Sequence, residues 1–208
     1  MSTEKFTFRD FFVFFLSGIS VIFCILITQY DFIKLEVSKP EYNNLMMFVK
    51  ENPAFIGLLS IPFVYLLGHL VHGIDDLINY WTKLIRGKNK GVPKNKFYSL
   101  LNFIAFENRV NGHLERKSED VEEFWKHCAY LQVNNQFQSA DYWYVMNELF
   151  KGVTLTCFSF GIYALIEGGK NVVWMLILSF VFWERAHYFA KRFYFSVTKN
   201  YEASNSKI

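Results

Sequence analysis

Phe11–Thr28 reads FFVFFLSGISVIFCILIT, eighteen residues without a single charge. A bilayer's hydrocarbon core is about 30 Å thick and is crossed by about 20 mostly apolar helical residues, so this stretch is a membrane span. Three further stretches have the same character. Residues 54–71 follow Pro53, which suits the first helical turn because its missing N–H would have no partner there, and the helix is expected to continue to about residue 80. Residues 149–166 and 172–190 form a third and a fourth span, joined by Glu167-Gly168-Gly169-Lys170-Asn171, whose glycines suit a helix end. The expected fold is all-α: a polytopic membrane protein of four transmembrane helices with a small helical segment outside the bilayer.

Composition agrees. Phe is the commonest aromatic at 24 of 208 residues, and 52% of the chain is hydrophobic, which leaves little for a polar skin. Charge is informative through its placement. Lys83, Arg86, Lys88, Lys90, Lys94 and Lys96 crowd the exit of the second span, and no acid intervenes before Glu107. The positive-inside rule then puts residues 82–144 and both termini in the cytoplasm. The same cluster, directly after a span and without interleaved aromatics, suits anionic lipid better than nucleic acid. Lys5, Glu4, Arg9 and Asp10 precede the first span with mixed charge and no small-residue cleavage pattern, so it is read as retained. Cys24 and Cys157 fall inside spans and Cys128 in the cytoplasmic segment, so no disulfide is expected.

Within the cytoplasmic segment, Phe97, Leu100, Leu101, Ile104 and Ala105 repeat at helical spacing after a turn-rich GKNKGVP. A second helix is expected from Ser118, with Glu119, Asp120, Glu122 and Glu123 at its positive end and Phe124, Trp125, Cys128 and Leu131 as its buried side. Trp143 and Tyr144 fit an aromatic belt at headgroup level.

Two spans carry ionisable residues near one end. His69, His72 and Asp76 lie at i, i+3 and i+7, within about 60° of one another on a helix, with Tyr65 on the same face and Asp75 turned elsewhere. Glu184 and His187 form an i, i+3 pair in the fourth span, beside Arg185, and topology puts both stripes in one leaflet. Ionisable groups in a membrane are costly and face a bundle interior, a cavity or a partner. Three chemistries fit the set His69, His72, Asp76, Glu184 and His187: a zinc or iron site, a proton-linked gate in a channel or transporter subunit, or a polar knot that orders packing, with Arg185 reaching the headgroups. The metal alternative would make the chain a membrane metalloenzyme. Other enzyme signatures are missing: there is no nucleophile elbow, P-loop or His-Glu-x-x-His, and Arg109 and His113 stand too close together for a HEPN-type ribonuclease.

In length, span number and Phe- and Lys-rich composition, the whole chain resembles the small four-pass membrane accessory proteins encoded beside the RNA-guided RNA nuclease of type VI-B CRISPR loci. That resemblance implies a bacterial inner-membrane protein with an antiphage role coupled to the nuclease. The expectation is a non-enzymatic, self-associating protein that alters membrane permeability or modulates that partner.

Overall fold

The computed structural model describes residues 8–87, 118–169 and 171–205. Among these the chain is all helical, with no strand: α1 (Phe8–Thr28), α2 (Tyr30–Val37), a 3-10 turn (Pro40–Tyr42), α3 (Asn43–Glu51), α4 (Pro53–Gly87), α5 (Ser118–Val133), α6 (Gln138–Ile166) and α7 (Val172–Asn205). Four of them, α1, α4, α6 and α7, are long and apolar enough to cross a membrane. The protein is a multi-pass, all-α membrane protein. The expected helix over Phe97–Ala105 and the basic cluster lie outside the described residues, Lys83 and Arg86 for their side chains only.

Two helices outrun their spans. At about 1.5 Å per residue, the 35 residues of α4 and the 34 of α7 exceed a hydrocarbon core of about 30 Å by several turns. Hydropathy detects only the part of a helix that lipid would select, which is why the third and fourth apolar stretches, 149–166 and 172–190, understate helices starting at Gln138 and ending at Asn205.

The helix ends are set locally. After α6, Gly168 takes φ +69°, Gly169 N–H donates to the Ala164 carbonyl at 2.8 Å, and Gly168 N–H to that of Leu165 at 3.4 Å, the paired bonds of a Schellman cap. After α5 the left-handed residue is Asn135 at φ 56°. Gln136 N–H reaches the Leu131 carbonyl at 2.8 Å and Asn135 N–H that of Gln132 at 3.2 Å.

The described chain forms two compact units, the first from Met1–Gly73 and Gly152–Val181, the second from Ile74–Lys151 and Phe182–Ile208. In the first, α1 and α4 approach closely and antiparallel. A Cβ on Gly18 would fall on the Val64 carbonyl, and one on Gly68 on the Phe14 carbonyl, so glycine is required at both crossings. At the α1 C-terminal end, Gln29 Nε2 donates to the Tyr163 hydroxyl at 2.9 Å, and Asn171 Nδ2 to the Ile27 carbonyl at 2.8 Å.

The second unit has an aromatic core: Phe124, Cys128 and Leu131 of α5, Ala140 of α6, and Phe193 and Val197 of α7. Trp125, expected in the buried side of α5, is instead 47% exposed. Phe124, Cys128 and Leu131 already occupy an i, i+4, i+7 stripe, and the neighbouring residue points about 100° away. Burial pushes the Cys128 thiol from its ordinary value of 9.0 up to about 12. The folded state therefore keeps its proton where the unfolded chain loses it. Through this group stability is constant below about pH 9 and falls as pH rises toward 12. Native protein at pH 8 is expected to leave Cys128 unmodified by iodoacetamide, whereas denatured protein is alkylated, with mass spectrometry as the readout.

Candidate functional site

Both units carry polar groups inside the spans. In the first unit, Ser17 of α1 is fully buried and hydrogen-bonded to His72 Nε2 of α4 at 3.1 Å. Gly152 of α6 closes this point: a Cβ there would lie 2.7 Å from Ser17 Oγ and 2.9 Å from His72 Nε2. Rings surround it. Phe14 stacks on His69 with centroids 3.7 Å apart and meets His72 edge-on at 5.1 Å, while Tyr65 meets His69 edge-on at 4.5 Å. Tyr65, His69 and His72 thus share a face, as their spacing requires. The Phe14 ring and the Ser17 hydroxyl are among their neighbours.

Cys24 of α1 and Cys157 of α6 form a further contact in this unit. Both are free and buried, and their thiols face each other.

The second unit holds the charged cluster. Lys151 Nζ lies 3.2 Å from Asp75 Oδ2 and donates to Glu148 Oε1 and Oε2 at 3.0 and 3.1 Å. Side-chain exposure is 4% for Asp75, 10% for Lys151 and 22% for Glu148. Asn147, also buried, donates from Nδ2 to Glu148 Oε1 at 3.4 Å. One ammonium thus serves two carboxylates. Burying a charge is tolerable only when it is paired and hydrogen-bonded.

Asp75 corrects the sequence-based face. The spacing from His69 selects Asp76, yet Asp76 is exposed and Asp75 is buried. The α4 residues that pack inward are Val64, Gly68, Val71 and Asp75, an i, i+4, i+7, i+11 series of which Asp75 is the last member. That heptad of small and apolar residues was the available signal. Lys151 carried a signal too, since a lysine between Phe150 and Gly152 in an apolar helix calls for a carboxylate on another span.

His187 stacks with Trp183 at 6.1 Å between centroids, and Glu184 and Arg185 are exposed. Buried α7 positions are Met175, Ser179, Ala186, Ala190, Phe193 and Val197, a heptad series that leaves Glu184 and Arg185 off the packed face. Among the described residues, no three of His, Cys, Asp and Glu are grouped so as to hold a metal ion. The chain matches none of the family models, curated proteins or solved structures compared with it.

Proposed function

We propose that this chain is a non-enzymatic membrane effector that changes the permeability of the bilayer, with Asp75, Lys151 and Glu148 as the polar element that controls it. The observation that carries the reading is a buried ion-pair cluster held by two of the four candidate spans. Ionisable groups in spans are expensive and mark pathways, relays or gates by default. Glu148 is the most accessible member, so it is the group through which protons or cations would reach the cluster.

The setting follows from charge placement and from the likeness in architecture. Lysines after the second span favour the bacterial inner membrane with both termini cytoplasmic. The resemblance to type VI-B accessory proteins supplies an antiphage context and an RNA-guided nuclease as activating partner. Extensive apolar exposure on α1, α4, α6 and α7 suits lipid and a second copy of the chain.

Inducible expression in bacteria with a potential-sensitive dye tests the reading. Wild-type protein, alone or with a guide-loaded nuclease, is expected to depolarise the cells, and a charge-neutral Asp75→Asn, Lys151→Met double variant, inserted at equal level, is expected not to. Wild-type protein that leaves the potential unchanged in both settings overturns the proposal, as does a double variant that depolarises fully.

A further inference from the structure

The connection between the first two spans contains two helices that bury nothing. Neither α2, the 3-10 turn nor α3 has a buried residue, although Tyr30, Phe32, Leu35, Leu45, Met47 and Phe48 are large, apolar and exposed. Helix α3 is two-sided. At about 100° per residue, Leu45, Met46, Phe48 and Val49 cover one side, and Asn43, Asn44, Lys50 and Glu51 the other, where Met47 is the one apolar residue.

Two observations identify what covers the apolar side. The connection is tethered at both ends, since α1 ends at Thr28 and α4 begins at Pro53, which holds it near the membrane surface. Phe48 also makes an edge-on contact with Phe55 at 6.3 Å between centroids. Phe55 is itself exposed on the flank of the second candidate span, so the apolar side of α3 continues a surface that already faces lipid.

We infer that α3 lies in the plane of the membrane interface, with Leu45 and Phe48 inserted among the lipids at the end where α1 finishes and α4 starts. An amphipathic helix in this position sinks about 5–10 Å into the boundary between headgroups and acyl chains. Residues 29–52 carry three lysines against four acids. Insertion is therefore driven by apolar area and does not require anionic lipid.

The native cysteines are all buried, so single added cysteines can be labelled with a polar, environment-sensitive NBD probe and wild-type protein serves as the unlabelled control. L45C and F48C report the apolar side, N43C and K50C, each about 140–160° away around the helix, the polar side. In full-length protein reconstituted into phosphatidylcholine vesicles, the first two probes are expected to be quenched by shallow doxyl lipid and protected from iodide. The other two should show the reverse, and adding phosphatidylglycerol should change neither pattern. Iodide access at all four sites overturns the inference. So does protection of positions 45 and 48 without lipid quenching that is lost on diluting the protein in the bilayer, because a second copy would then cover the face. Probe depth is measured whether or not the vesicles leak, so it stands apart from the permeability reading.

Discussion

Lys151→Met is expected to destabilise the protein by about 3–5 kcal/mol, the usual consequence of removing one partner from a buried ion pair. The methionine fills much of the lysine's volume, so lost packing is a minor part. What remains is the Asp75 carboxylate, 4% exposed and without the ammonium that lies 3.2 Å away in the native protein. Adding Asp75→Asn removes the stranded charge and should restore most of the loss, since replacing both members of a buried pair is often nearly neutral. Glu148→Gln should cost about 1 kcal/mol or less, because this carboxylate is 22% exposed and partly solvated. Reversible unfolding in mixed micelles, measured for the three variants and the wild type, checks the ranking. A Lys151→Met protein as stable as wild type would mean that the cluster does not hold the fold.

Gly18→Ala and Gly68→Ala are the second large expectation. Each added methyl would occupy the position of a backbone carbonyl on the opposing helix, Val64 for the first and Phe14 for the second. Backbone cannot turn aside as a flexible side chain can, so α1 and α4 must separate or slide. Overpacking of this kind costs typically about 1–3 kcal/mol, and separation also disturbs the Ser17–His72 hydrogen bond. Gly57→Ala and Gly73→Ala are the controls. Nothing lies within 4 Å of a Cβ at either position, and alanine is a better helix former than glycine by up to about 1 kcal/mol, so both should be neutral or stabilising. Thermal aggregation followed by fluorescence-detected size exclusion separates the two pairs. Equal behaviour of all four variants would contradict the close crossing.

These two expectations rest on features that differ in how far the sequence reveals them. The span Phe11–Thr28 is legible because transfer into lipid is summed residue by residue along one helix and needs no partner. The turn at Gly168 and Gly169 is legible for a similar reason, since a left-handed residue ends a helix through bonds to its own last turn. The start of α5 at Ser118 falls in the same class. Spacing between polar residues carries less information about burial. His69 and His72 do share a face with Tyr65, but the same spacing selects Asp76, and Asp75 is the buried carboxylate.

The choice between Asp75 and Asp76 shows where local information ends. Both carboxylates are equally acidic and neighbours in sequence, and each would sit on some face of α4. Which face packs inward depends on how α4 is rotated about its axis. The rotation is set by contacts with another helix, where Gly18 and Gly68 let backbones meet. Lys151 is alike: its sequence shows a charge in an apolar run, and only the assembled helices show that the charge is met by Asp75 and Glu148. By itself the sequence determined four spans, the turn that ends α6 and an all-α architecture, because hydropathy and capping are properties of single segments. Only the tertiary structure decided which ionisable groups are buried together, because a helix presents every face to its own sequence and a single face to its neighbour.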